Sequence, residues 1–381
     1  MTMIYLDHGA TTPMHPQVIE TMTDVMTTVF GNPSSIHQLG RQAQHLVTTS
    51  RQKIAQSIHA EEDDIMFTSG GTESDNTAII QTAHSRQHLG KHIITSKVEH
   101  PAVLRPMEAL VEEGFEVTFL PVDEQGLLSV DDVLAALRPD TILVSLMWTN
   151  NETGVRFPIK EIGLALQEHQ TYFHTDAVQA YGLETIDVEA CHLDLLSATG
   201  HKINGPKGTG FLYCRSGISL PPFMRGGEQE EHRRAGTENV PAITGLAKAS
   251  ELLTETEKRH RQLTYREFHD QILTRLCAEG IEFEVNGDQE QHSAHVLNLW
   301  FSGVPNNLLL MHLDLKGIAL SIGSACTAGN VHPSHVLETM FGKDAQRVAE
   351  SVRFSFGLGN TSREIDYMLD HLVPIINRLK K

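Results

Sequence analysis

Ser197-Ala-Thr-Gly-His-Lys202-Ile-Asn-Gly-Pro-Lys-Gly208 sets a lysine between an imidazole and a glycine-rich turn, just past the apolar, strand-like run Leu193 to Ala198. Upstream of it, from about residue 60, short apolar runs alternate with amphipathic stretches. Ile65 to Thr68, His92 to Thr95, Glu116 to Val122, Thr141 to Met147 and Tyr172 to Thr175 read as strands. Helical segments fall between most of them: one through Ile79-Ile80, then Val103 to Glu113 and Ile159 to Glu168. Strands separated by helices predict an α/β fold whose mainly parallel sheet is covered on both faces. Ligands of such sheets sit at the carboxyl ends of strands, and Lys202 follows one of those ends.

Downstream, a charged, helix-prone run extends from Pro241 to about Glu279 without a proline and leads toward a second, smaller unit. There Ala294 to Phe301 and Val352 to Phe356 read as strands and Asn306 to Leu315 as a helix. A Gly/Ser-rich segment spans Ser321 to Asn330, and a last helix opens on the capping-box spelling Thr361-Ser-Arg-Glu364 and runs to about Leu379. A chain of 381 residues is longer than one compact core commonly holds, so two domains are expected.

Composition narrows the function classes. A formal charge of −18 opposes non-specific binding to nucleic-acid phosphates. Lys258-Arg-His-Arg261 is a basic cluster, but at helical spacing it reads as a solvated face. The richest apolar run, Thr141 to Trp148, is strand-sized, whereas a membrane span needs about 20 residues. The N-terminus shows no basic segment followed by an apolar one, and the expected location is cytoplasmic. The four cysteines, Cys191, Cys214, Cys277 and Cys326, form neither a disulfide framework nor a C-x-x-C pair.

Three segments could carry chemistry together. A lysine that condenses with an aldehyde must lose its proton, which burial or a nearby cation promotes. Lys202 suits that task, although a lysine beside glycines also fits a plain loop. Ser69-Gly-Gly-Thr72-Glu-Ser-Asp-Asn76 follows a strand and begins a helix, so its N–H groups and the Thr72 hydroxyl could cradle a phosphate or simply cap the helix. His174-Thr-Asp176-Ala-Val-Gln179 ends another strand, and a carboxylate there can keep a pyridine nitrogen protonated. The His-x-Asp spacing lacks a third metal ligand. Gly205 to Gly210 lacks the Walker spelling of a nucleotide loop.

Taken with Tyr5-Leu-Asp-His-Gly-Ala-Thr-Thr-Pro13 and Gly31-Asn-Pro-Ser-Ser-Ile-His37, these motifs resemble those of the cysteine desulfurases, in the class V aminotransferase group of fold-type I pyridoxal 5′-phosphate (PLP) enzymes. The resemblance covers nearly the whole chain. It implies a large domain with a seven-stranded, mainly parallel sheet flanked by helices, and a smaller α+β C-terminal domain. The expected division is 1–15 joining the small domain, 16–250 as the PLP-binding domain, and 251–381 as the small domain carrying a cysteine loop.

Position by position, the resemblance implies that Lys202 is the Schiff-base lysine and His100 of Val98-Glu-His-Pro101 the imidazole stacked on the ring. Asp176 is the pyridinium partner and Gln179 the donor to the ring oxygen. Gly71, Thr72, Thr199 and His201 form the phosphate cradle, with Thr237 of Arg234-Ala-Gly-Thr237 contributed across a homodimer interface. Asn151 touches cofactor and substrate, and Arg353 of Ser351-Val-Arg-Phe-Ser355 clamps the substrate carboxylate.

Cys326 of Gly323-Ser-Ala-Cys-Thr-Ala-Gly329 is the thiol expected to take sulfur from L-cysteine as a persulfide, releasing alanine, whereas Cys191, Cys214 and Cys277 are expected to be buried and inert. Thr199 stands where many relatives have serine, which keeps the hydroxyl. The sulfur acceptor would be an iron–sulfur scaffold protein or a tRNA 2-thiolation enzyme, and the short segment after Arg353 leaves room for the latter. The competing readings are a selenocysteine lyase or other class V aminotransferase, and a non-catalytic sulfur carrier that has kept only the fold.

Overall fold

The computed structural model describes residues 3–322 and 333–380. Twelve strands are described, numbered here along the chain. β1 (Ile4–Tyr5) comes first. The main sheet follows: β2 (Ile65–Thr68), β3 (His92–Ser96), β4 (Glu116–Leu120), β5 (Thr141–Ser145), β6 (Tyr172–Asp176), β7 (Leu195–Thr199) and β8 (Gly210–Cys214). The last four are β9 (Glu284–Val285), β10 (Val296–Trp300), β11 (Ile318–Ala319) and β12 (Ser351–Ser355).

The seven-stranded sheet has the order β2-β8-β7-β6-β5-β3-β4. The pairs from β7 to β4 are parallel, and β8 runs antiparallel to both of its neighbours. Sequence reading did not anticipate β8. Phe211-Leu-Tyr-Cys214 is a short apolar run with no alternation, because both of its faces are covered and every residue of the strand is buried.

Neighbouring strand residues supply opposite faces of the sheet. Ile94 and Val144 join one core with Ile54, Phe173 and Leu196. Ile93 and Leu143 join another with Val103, Met107 and Leu110 of the helix Pro101–Glu112. This period-2 division with apolar residues on both sides is why the centres of β3 and β5, Ile93-Ile94 and Ile142-Leu143-Val144, show no polar alternation.

A separate core forms around the antiparallel sheet β12-β10-β9. Leu297, Leu299, Val352 and Phe354 pack there against Phe268 and Ile272 of the helix Glu255–Ala278 and Leu369 and Leu372 of Ser362–Leu379. Burying each such side chain fully stabilises the fold by about 1.5–3 kcal/mol. Ile4 and Leu6 belong to this core too, and β1 pairs with β11. The chain thus begins on the second core and crosses to the first.

The 241–279 run is two helices, Val240–Glu251 and Glu255–Ala278, because Thr254 takes the Glu257 N–H and caps the second. Its basic cluster is exposed at Arg259 and His260, as expected of a solvated face, while its two ends turn inward. Lys258 is buried beside Glu255 at 2.8 Å, and Arg261 is held by Glu257 and by the Asn204 side chain. The Thr361–Glu364 capping box is present. Cys191 and Cys214 are buried, and burial raises their thiols to about 11 and about 12. Cys277, expected to be buried, is exposed, since it lies in the last turn of Glu255–Ala278 outside the apolar set facing the core. Among the described residues no helix is long and apolar enough to cross a membrane.

Candidate active site

The carboxyl ends of the parallel strands bring the sequence motifs together. β6 ends on Asp176, β7 on Thr199, and the single turn Gly200–Lys202 follows β7 at once. β2 ends on Thr68 and runs through Ser69-Gly70 into the helix Gly71–Asn76. Gly210 of β8 stands in register with both Thr68 and Thr199 and draws the two ends close. A Cβ at Gly210 would lie 2.4 Å from the Ala198 carbonyl and 2.8 Å from Gly70 Cα. The glycine-rich turn can approach β7 because no side chain intervenes. Gly70, at φ +147°, adopts a backbone conformation natural only to glycine, and a Cβ on Gly71 would meet Val178 Cγ2 at 2.7 Å.

Lys202 Nζ donates to the carbonyl of Gly9, and to that of Ala10 at 2.9 Å. Burial, reinforced by the charge of Arg353, lowers its pKa to about 7, against the opposing pull of Asp7 and Asp176. Much of the lysine is therefore an uncharged amine at neutral pH. Asp176 is buried, and its Oδ1 accepts the Val178 N–H at 2.9 Å. Burial raises this carboxyl, while the charges of His100 and Lys202 pull the other way. Gln179 Nε2 donates to the same Gly9 carbonyl at 3.0 Å.

His100 caps the helix Pro101–Glu112, its Nδ1 accepting the Ala102 N–H at 3.1 Å, so a neutral ring carries its proton on Nε2. The adjoining turn is held by Asn150, which donates to the Val98 carbonyl at 3.0 Å and accepts the Glu152 and Thr153 N–H groups. Asn151 is thereby fixed, and its carbonyl accepts from Arg353 Nη1 at 2.8 Å. Arg353 Nη2 donates to Asp7 Oδ1 at 2.7 Å, the arginine buried and the carboxylate partly exposed. Thr199 donates to the Thr209 carbonyl, and His201 Nδ1 lies 3.2 Å from the Thr11 hydroxyl. Thr72 is exposed on the helix beside Glu73, and Thr237 is exposed in a loop tied to that helix by the Arg234–Glu73 ion pair. Cys326 lies outside the described residues.

Sequence reading missed an inner layer of acids and imidazoles. His174, behind Asp176 on β6, is pinned between the hydroxyls of Ser145 and Ser197, with Asp75 at 3.7 Å. Burial raises Glu99 to about 8; its Oε1 accepts from Ser96 Oγ and the Met147 N–H. Glu152 accepts from Ser334, and His335 Nε2 donates to the Glu99 carbonyl at 2.9 Å. In the sequence His174 stood out only through its spacing to Asp176, and Glu99 and Glu152 only as neighbours of His100 and Asn151.

The donor set fits PLP on observations of this chain alone. Lys202 is an amine ready to condense, and Asp176 is a buried carboxyl short of positive charge. A cradle too tight for any Cβ supplies N–H groups at a helix start. Among known proteins, the aminotransferase class-V family profile matches residues 4–368. The chain is 52% identical over 379 residues to a Bacillus subtilis protein described as putative cysteine desulfurase IscS 1, covering 100% of each. A solved NifS-like protein superposes with a TM-score of 0.92 at 31% identity, over 99% of this chain and 100% of that one. SspA, solved in complex with cysteine, superposes with a TM-score of 0.81 at 33% identity, over 93% and 98%.

Proposed function

This chain belongs to the class-V aminotransferase family, and from that membership we propose its working: it is a PLP-dependent cysteine desulfurase in which Lys202 and Cys326 divide the chemistry. L-cysteine and the Cys326 thiol give L-alanine and a Cys326 persulfide; the substrate C–S bond breaks, an S–S bond forms, and no outside oxidant is needed. The observation that carries this reading is the buried Lys202, its amine brought to about 7 beside Asp176.

When bound, PLP supplies an aldehyde for the amine and a protonated ring that accepts electrons. Gly71, Thr72, Thr199 and His201 would hold its phosphate, with the partner chain's copy of Thr237 completing the cradle. Asp176 would hold the ring nitrogen, Gln179 the ring oxygen, and His100 one face of the ring. Lys202 Nζ then moves the proton of the substrate Cα, with His100 assisting. Arg353, braced by Asp7 and the Asn151 carbonyl, orients the substrate carboxylate, and Asn151 bounds the substrate on the other side. Cys326 receives the sulfur and passes it to an acceptor, an iron–sulfur scaffold or a tRNA 2-thiolation enzyme.

The reading includes a cytoplasmic homodimer and the division 1–15, 16–250 and 251–381. Exposed Phe30 (79%) and Ile36 (92%), together with exposed Ile19 and Met26 of the first helix, support the dimer. The second core, drawn from Ile4, Leu6 and residues after 264, supports the division, while Val336, Leu337, Met340 and Val348 pack in the first core. The test is incubation with L-cysteine, measuring alanine and protein-bound persulfide. Cys326→Ala should keep the cofactor's visible band and lose persulfide, whereas a selenocysteine lyase or aminotransferase working without the thiol would be unaffected. Purified protein without any cofactor band would favour a non-catalytic carrier.

A further inference from the structure

The direction of every hydrogen bond around Gln179 can be worked out from one atom. The Gly9 carbonyl oxygen can only accept, so the amide must turn its NH2 toward it, at 3.0 Å. The amide oxygen then faces the other way, 3.0 Å from His295 Nε2. That nitrogen must carry a hydrogen and donate it. In the neutral ring Nδ1 is the acceptor, and the Ser293 hydroxyl, 2.9 Å away, donates to it. Burial, together with His292, Arg353, Lys202 and His269 facing it, lowers His295 to about 3 and keeps the ring neutral. The polarity runs one way: Ser293 to His295 to Gln179 to Gly9.

His295 immediately precedes β10, whereas Gln179 follows β6, so the link joins the second core to the first. The Gln179 nitrogen has two hydrogens. One is on Gly9, and the other is left for a ligand. We propose that His295 is a positioning residue for the reaction: by holding the amide oxygen from behind, it ensures that Gln179 presents N–H, and never C=O, to the ring oxygen of the cofactor. This rests on the reading that Gln179 serves that oxygen. Without His295 the buried amide oxygen has lost its donor, and such an orphan seeks another, with the Lys202 amine close by on the same carbonyl.

The test is a pH titration of the visible absorption band of the cofactor-loaded enzyme. An N–H donor favours the form in which the ring oxygen no longer shares the proton of the lysine linkage, and so lowers the midpoint. His295→Leu should raise it by about one unit, a tenfold change in the proton equilibrium. His295→Gln, which can still donate from near the Nε2 position, should restore the wild-type value. Gln179→Leu should raise the midpoint similarly, and the double variant should show no further shift.

If Gln179→Leu moves the midpoint and His295→Leu does not, or if the two shifts add, the proposal is overturned while the role of Gln179 stands. If Gln179→Leu has no effect, the underlying reading fails, and the proposal with it. Should His295→Leu not fold, Ser293→Ala decides: a rise supports the proposal, and an unchanged midpoint overturns it.

Discussion

Lys202 and Gln179 donate to one and the same atom, the carbonyl oxygen of Gly9. The amine proposed to react and the amide proposed to serve the ring oxygen are thus located by a stretch of backbone that no side-chain substitution removes. Backbone anchoring leaves the titration of Lys202 to its surroundings, which set it near 7.

Cofactor capture should therefore follow the free amine. The rate at which apoenzyme gains the visible band should rise about tenfold from pH 6 to pH 8 and level off above, since the neutral fraction climbs from about one-tenth to nine-tenths across that interval. A rate that climbs tenfold per pH unit straight through pH 8 would show that Lys202 keeps an ordinary pKa, and a flat rate would show that its deprotonation does not limit capture. Lys202→Ala should give no stable band at any pH.

Arg353 uses both terminal nitrogens to hold Asn151 and Asp7, so its fork is fixed before substrate arrives. Arg353→Lys keeps a charge but loses the planar fork, and kcat/KM for L-cysteine should fall about thirtyfold or more, mostly through KM. Steady-state kinetics on the loaded enzyme check this. A change confined to kcat would count against carboxylate binding.

Glu99 is buried and holds its proton to about pH 8, against 4.5 for the free side chain. A folded-state pKa raised in this way gives stability that is fully present below pH 4.5 and lost as pH climbs toward 8. Glu99→Gln keeps the acceptor for Ser96 and Met147 and has no proton to lose. It should be more stable than wild type at pH 7 by about 3 kcal/mol, and indistinguishable from it near pH 4.5. Denaturant melts at the two pH values decide.

Buried histidines have the opposite sign. His174, His269, His292 and His295 are lowered to about 3 or 4, burial being the first cause in each. The unfolded chain binds their protons near pH 6.5, so stability falls as pH drops from 6.5 toward 4. At pH 5 each of the four rings should be neutral in the native state and take up about one proton on unfolding, which native-state NMR titration of the rings checks. Midpoints near 6.5 would mean that these rings are already protonated in the native state.

The strand ends were legible in the sequence because each carries a short polar motif straight after an apolar run, as at Thr68 and Asp176. β8 was not, since Phe211 to Cys214 is apolar on both faces and follows a glycine loop that suggested no element. The break at Thr254 was available in principle, because Thr254-Glu-Thr-Glu257 spells a capping box. Lys202, Asp176 and His100 stood out through local context. Asp7, His295 and Glu152 did not, because each owes its function to partners far away in the chain, and no local spacing encodes such a meeting.

That distance has a consequence during synthesis. Asp7 and Arg353, and likewise Gly9 and Ser355, are 346 positions apart. The Asp7 carboxylate and the Gly9 N–H must wait for these partners until nearly the whole polypeptide has left the ribosome, although the seven-stranded sheet can form well before. A nascent chain can therefore own a finished sheet with its lysine already seated on Gly9 and Ala10, and still lack the arginine fork that Asp7 braces.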